Sequence, residues 1–555
     1  MTDDFRPPEH ELWFLPLGGA GEIGMNLNLY GHAGKWLMVD LGVTFGDGST
    51  PGIDIIMPDP AFITERAGDL VGIVLTHAHE DHIGAVPYLW SRLKCPLYAT
   101  PFTASVLRRK LEEVGLQHEA KITEIPMSGK FGLDPFEIEL ITLTHSIPEP
   151  NAVVIRTPLG AVLHTGDWKL DPEPLVGEAT DEAALRKLGN GGVLAMICDS
   201  TNVFVEGTSG SEADVRDSLM EVVGRLKGRV AIGCFASNIA RIETIARVAA
   251  AHGRRVALIG RSLWRMLQAA RENGYLTDLE DFVTEHDVGY FPPEKILMIC
   301  TGSQGEPRSA LSRIARDEHP QVTLETGDTV IFSSRVIPGN EKSIAQLQND
   351  LTKLGAEIIT DHDEDVHVSG HPARDELAEM YHWVRPRIAV PVHGEARHIK
   401  EHVAWAKQCQ VPEAIESTNG SLIRLAPGPA ELLGHVTSGR LGLDGRSLVS
   451  MNSDAVRHRH RLSFNGVILV SVVLDKAGRL LADPQVTLEG LLDGEPAAEA
   501  IAAIGAAVRN AIENLSQAQR NLTEEVAETG RLAARRWFHK IHDKKPITKV
   551  HVIRL

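Results

Sequence analysis

The stretch that most constrains this chain is Thr76-His77-Ala78-His79-Glu80-Asp81-His82. It reads His-x-His-x-Asp-His, so four metal-binding side chains fall within six residues. The apolar run Val71-Gly72-Ile73-Val74-Leu75 precedes it and reads as a buried strand. A loop at the carboxyl end of such a strand can aim several imidazoles at one point. Neutral imidazole and carboxylate are ligands that zinc and similar ions prefer. The alternative is a solvated, His-rich loop, but a polar cluster directly after a buried strand needs a reason to be there. The motif points to a metal site and leaves the substrate open.

The arrangement recurs along the chain. Ile138 to Leu143 reads as a strand ending in Thr144-His145-Ser146, and Ala161-Val162-Leu163 leads to His164-Thr165-Gly166-Asp167. Ile388 to Val392 ends in His393-Gly394. One ion can take His77, His79 and His145, and a second Asp81, His82 and His393. Asp167 is the natural bridge, because a carboxylate can bind two cations at once. Two ions about 3.5–4 Å apart suit phosphoryl chemistry, since together they clamp the attacking and leaving oxygens.

With 555 residues the chain is too long for one ordinary core. Residues 12 to 45 alternate short strands with glycine turns. The run Gly18 to Gly24 could pass for a dinucleotide loop, but no helix in a βαβ context follows it. Ile83 to Leu93 and Ala104 to Val114 are predicted helices. From about 206 the texture is that of a parallel α/β domain. Its predicted helices are Ser211 to Leu226 and Asn238 to His252; its strands begin at Val230, Val256, Ile296 and Val330. The chain is expected to leave the first fold near 205 and return near 366. The first domain is then 1–205 plus 366–450, with an insertion at 206–365. The Gly-rich stretch 431–462 reads as a connection, with 451–462 as a linker. Residues 463–555 read as a small α/β domain.

The net charge of -18 does not advertise nucleic-acid binding, although it leaves room for a local basic channel. Residues 531–555 carry eight Lys or Arg against one acid, either an RNA guide or a solvated face. The five cysteines are scattered and never form Cys-x-x-Cys, which fits a reducing cytoplasm. Met1 to Arg6 shows no signal peptide, and no apolar run is long enough to span a bilayer.

His77-Ala78-His79-Glu80-Asp81-His82, followed by His145 and Asp167, resembles the metallo-β-lactamase superfamily. Asp199-Ser200-Thr201, His367-Val368-Ser369-Gly370-His371 and Pro391-Val392-His393-Gly394 resemble its β-CASP branch. Cys300 to Pro307 and Phe332 to Glu341 resemble the bacterial ribonuclease J family within it. This implies an αββα sandwich with an inserted parallel α/β domain and a small C-terminal α/β domain. It implies two zinc ions on the seven residues above, with manganese or magnesium as alternatives.

The resemblance also implies roles. His371 matches a general acid that protonates the leaving oxygen, and Asp199 a carboxylate that orients it; Asp81 counts as both ligand and catalytic residue. His367, Val368, Ser369 and Gly370, with His371, are implied phosphate contacts. Ser303, Gln304, Gly305 and Glu306, with Arg261, are implied to hold an RNA 5′-monophosphate, and Ser237 and Asn238 the nucleotide nearest the metals. Turn chemistry is the alternative for these Ser, Asn and Gly residues. Ala240 departs from the larger or polar residue expected there. Asp47 and Asp444 are candidates for a structural calcium, against ordinary surface turns. The implied activity is 5′-to-3′ exonuclease on single-stranded RNA, with some endonuclease action, in RNA decay and rRNA or mRNA maturation. Homodimers or homotetramers and other RNA-decay proteins are the implied partners.

Overall fold

The computed structural model describes residues 5–337 and 339–555. Met1 to Asp4, and Pro338 within the Phe332 to Glu341 motif, lie outside the described residues. The chain divides into two compact units, Met1–Thr44 with Met57–Gly439, and Phe45–Ile56 with Arg440–Leu555.

In the first unit two sheets carry the site. One has eight strands and includes Leu12–Gly18, Leu27–His32, Lys35–Val39 and Leu70–Val74. The other has seven, including Phe136–Thr142, Asn151–Thr157, Gly160–His164, Val193–Asp199 and Pro386–Val392. Alternation along the strands explains the layering. Val153, Ile155, Ala195 and Ile197 face Phe14, Tyr30 and Val39 of the other sheet. Their neighbours Val154, Met196 and Cys198 face away and pack on Leu185, Leu377 and Tyr381 of two covering helices. The helix Pro101–Glu113 lies against two strands of the eight-stranded sheet. The result is the expected αββα sandwich.

The insertion is a five-stranded, all-parallel sheet with its own core. Its first helix, Glu212–Arg225, is started by Ser211 in a capping box with Asp214. The next, Ile239–Ala251, is capped by the Asn238 side chain.

In the second unit, Val467–Leu474 pairs in parallel with Ile547–Arg554 and antiparallel with Gln485–Glu489. Two long helices, Gly494–Glu513 and Thr523–His542, contribute Ile504, Val508, Val526 and Phe538 to its core. The stretch expected to be a connection is structured. Arg440–Asp444 and Ser447–Ser450 form a hairpin, and the segment 45–56 joins their sheet. Residues 451–462, expected to be a linker, fall largely within the helix Asp454–Asn465. Ser453 caps it and Gly466 ends it at φ 65°, ordinary start and stop signals that the basic run obscured. Among the described residues no helix is long and apolar enough to cross a membrane.

Candidate active site

Every expected metal ligand lies just past a strand of the sandwich. Leu70–Val74 delivers His77 and His79, and the short helix Glu80–Ile83 carries Asp81 and His82. Asp167, Asp199 and His393 come from Gly160–His164, Val193–Asp199 and Pro386–Val392, which are adjacent parallel strands. Strand order therefore brings together residues more than two hundred positions apart in the sequence.

Three groups of possible ligands meet at Asp167; two hold the expected ligands, and the third joins Asp167 to Asp199, His371 and His393. His77, His79, His145 and Asp167 offer one ligand atom each, all within 4.8 Å of one another, and so do Asp81, His82, Asp167 and His393. In the first group His77 Nε2 lies 3.0 Å, and His145 Nε2 3.1 Å, from His79 Nδ1. In the second, Asp167 Oδ2 is 3.2 Å from His82 Nε2, and Asp81 Oδ2 is 3.1 Å from His393 Nε2.

Electrostatics agree with this donor set. Burial, reinforced by neighbouring imidazoles, holds His77 and His145 well below the usual histidine range. Burial takes His79 to about 4. Three neutral rings thus turn nitrogens toward one point, where a shared proton could satisfy one pair and not all three. In the other group burial would lower His82 and His393, but Asp167, helped by other carboxylates, raises both. Asp167 Oδ1 is buried without a hydrogen-bond partner. Converging lone pairs, surplus carboxylate and an orphaned oxygen fit two divalent cations sharing Asp167.

A surrounding layer aims the ligands. Asp40 accepts from Thr76 N–H at 2.8 Å and faces His82 Nδ1 at 2.7 Å. Thr201 Oγ1 donates to Asp199 Oδ1 at 2.7 Å and lies 2.9 Å from His393 Nδ1. His393 itself has a left-handed φ of 52°, a costly conformation for a non-glycine residue. His145 Nδ1 donates to Gly370 O, which fixes the tautomer and turns Nε2 to the cluster. A Cβ on Gly370 would stand 2.6 Å from the His145 ring, so glycine is needed there.

His371 stands beside both groups. Its Nδ1 lies 2.7 Å from Asp199 Oδ2, so Nε2 is the ring nitrogen outside that pair. Asp199 is fully buried, while 22% of the His371 side chain is exposed. Burial alone would lower His371; the Asp199 and Asp167 carboxylates more than reverse this and raise it.

The expected RNA contacts divide. Ser237, Asn238, Arg261 and the Ser303 to Glu306 loop all follow strands at the carboxyl edge of the parallel sheet, where such sheets bind ligands. Arg261 is exposed. Asn238 uses its amide oxygen to cap Arg241 N–H at 2.9 Å. Gln304 turns inward, donating to Arg335 O at 2.8 Å and accepting from Ile337 N–H at 3.0 Å. Ser303 is buried, and the exposed Glu306 accepts from Gln304 N–H. Gly305 lies so close to Ser343 that a Cβ would meet its backbone at 2.6 Å. His367 is held well below its usual range by burial and by Arg241, Arg335 and Lys169. Ser369 Oγ accepts from Asn202 Nδ2 at 2.8 Å. Val368 packs close to Gly210.

Sequence reasoning missed Asp40, Thr76, Asn202, Glu212 and Arg241. Asp40 follows a strand as Asp167 does, and Thr76 opens the His77 to His82 motif, which were usable signals; Asn202, Glu212 and Arg241 carried none for a site role. Asp47 accepts from Ser49 N–H at 2.8 Å, and Asp444 pairs with Arg459. Asp47 thus sits in a surface turn and Asp444 ends a strand of the hairpin, each with its own partner, and no calcium is proposed.

Four family models match this chain. Residues 25–195 match the metallo-beta-lactamase superfamily, and 227–351 the ribonuclease J beta-CASP domain. Residues 362–412 match the Zn-dependent metallo-hydrolase RNA specificity domain, and 454–555 the ribonuclease J C-terminal domain. Ribonuclease J of Sinorhizobium meliloti is 45% identical over 552 residues, covering 99% of this chain and 98% of the relative. The chain belongs to the ribonuclease J family. Ribonuclease J of Mycolicibacterium smegmatis is 38% identical, and the match covers the full length of both chains. A solved structure of a protein of unknown function from Enterococcus faecalis has a TM-score of 0.52 at 15% identity, covering 75% of this chain and all of the other. That likeness bears on the fold alone.

Proposed function

We propose that this ribonuclease J family member, a metal-dependent ribonuclease, degrades single-stranded RNA from its 5′-monophosphorylated end, with some internal cleavage. The observation that carries the reading is the Asp199–His371 pair beside the two ligand groups. His77, His79, His145, Asp81, His82 and His393, with Asp167 between them, would hold two zinc ions. Such ions supply Lewis acidity toward the scissile phosphate and activation of the water nucleophile.

The chain's own residues do the rest. Asp199 holds His371 by Nδ1 and favours its protonated form. Nε2 then delivers a proton to the leaving oxygen as the phosphodiester breaks. The loop 367–371, whose Ser369 hydroxyl is held by Asn202 beside His371, suits the phosphate. Arg261, at the start of the helix Arg261–Glu272, is a free-standing cation for the 5′-phosphate. Gln304 supports this pocket by holding residues 335–337 in place. We place the inserted domain at 206–365, and the enzyme in the cytoplasm as a homodimer or homotetramer, with other RNA-decay proteins as partners.

One RNA sequence bearing a 5′-monophosphate, 5′-triphosphate or 5′-hydroxyl tests this. The 5′-monophosphate form is expected to yield mononucleotides fastest. Equal rates on all three, with internal fragments only, would refute the exonuclease reading.

A further inference from the structure

Away from the metal ligands, four charged side chains are buried together. Lys169, Asp171, Glu212 and Arg241 are each at most 3% exposed. Lys169 Nζ lies 2.8 Å from Asp171 Oδ2 and donates to Gly210 O at 3.1 Å. Asp171 also accepts from Ser211 Oγ at 2.7 Å and from Glu212 N–H at 2.9 Å. The Glu212 carboxylate receives Arg241 through Nε at 3.2 Å and Nη2 at 3.0 Å. The remaining arm, Nη1, donates to Ser333 O at 3.2 Å and to Val366 O at 3.0 Å.

The places this network touches are those that carry the site. Lys169 is two residues past Asp167, and its N–H donates to Thr144 O at 2.8 Å, immediately before His145. Gly210 to Glu212 is where the chain enters the inserted domain. Arg241 is bonded to Asn238, and Val366 immediately precedes His367 at the exit. Glu376 reinforces the entry, accepting from Ser209 N–H at 2.9 Å and Leu170 N–H at 2.8 Å. Two cations and two carboxylates balance, so the cluster is neutral as a whole. Buried ion pairs of this kind give little net stability over apolar residues of like volume. What they supply is direction, because a guanidinium fork fixes the angle as well as the distance of its partners.

We propose that Lys169, Asp171, Glu212 and Arg241 are positioning residues that set the RNA-contacting loops of the inserted domain against the Asp167 loop. They act through their neighbours and touch no substrate. The proposal rests on the RNA reading, and wild-type turnover of RNA checks that reading separately. A small diester such as bis(p-nitrophenyl) phosphate needs the metal loops and not the insertion, so it separates the two contributions.

Arg241→Lys keeps the charge and loses the fork; Glu212→Gln with Arg241→Met removes both charges. For each, turnover of a 5′-monophosphorylated oligoribonucleotide and of the small diester is measured, with bound zinc and thermal midpoint. Both variants are expected to keep zinc and diester turnover while kcat on RNA falls by about a hundredfold, the scale of a misplacement of about 1 Å. RNA and diester turnover falling together, or RNA turnover unchanged, would overturn the proposal. If neither variant folds, the charges serve the fold, and the proposal is overturned equally.

Discussion

In the proposed reaction His371 and Asp199 divide one task between a partly exposed acid and a buried carboxylate. His371→Ala is expected to retain both metals, because the seven proposed ligands stay in place, while turnover drops by roughly 10²–10⁴-fold, the usual contribution of a general acid. Wild-type turnover with full metal content would refute the role. Asp199→Asn tests the pairing through pH. The groups facing His371 are Asp199 at 2.7 Å, Asp167 at 3.9 Å and the rings of His145 and His393. The carboxylates raise it above its ordinary value, so it stays protonated to higher pH and activity falls as pH rises through that value. Removing the Asp199 charge lowers it, and the alkaline limb of kcat/KM is expected to move to lower pH. An unmoved limb would show that another group sets it.

At the scale of elements, local order was readable and long-range support was not. His77 to His82 announces itself because its ligands are neighbours on one loop. Asp40 lies 42 residues from His82, so its bond to that ring appears only once the strands Lys35–Val39 and Leu70–Val74 pair. Glu212 looked like a helix start, which it also is, and its burial with Arg241 depends on where the insertion re-enters the sandwich. Gln304 belonged to a motif suited to RNA, yet its side chain braces another loop. The loop 367–371 shows how tight such supports are. Its Gly370 lies on the His145 ring, leaving no room for a methyl group. Gly370→Ala is expected to push His145 off line and weaken metal binding by about 10–100-fold, the usual cost of disturbing a ligand's support. Zinc affinity equal to wild type in a competition titration would show that the loop yields instead.

Across the whole chain, the unit that closes the C-terminal end also contains residues 45–56, nearly four hundred positions upstream. Short strands hid this in the sequence, since Arg440–Asp444 and Ser447–Ser450 find their third partner far away. Gly442 is placed so that Ile53 and Met451 close over it; a Cβ there would meet them at 2.8 and 2.7 Å. A chain stopped after Gly439 keeps 45–56 but strips it of the hairpin, leaving backbone donors and acceptors unpaired and Ile53 uncovered. A chain stopped after Asn452 keeps the hairpin and loses the helices and the three-stranded sheet. Hydrogen exchange over 45–56 is expected to be fast in the shorter chain and protected in the longer one, with aggregation confined to the shorter. Equal protection in both would mean that 45–56 holds its shape without the hairpin, and that the discontinuous unit is not a cooperative one.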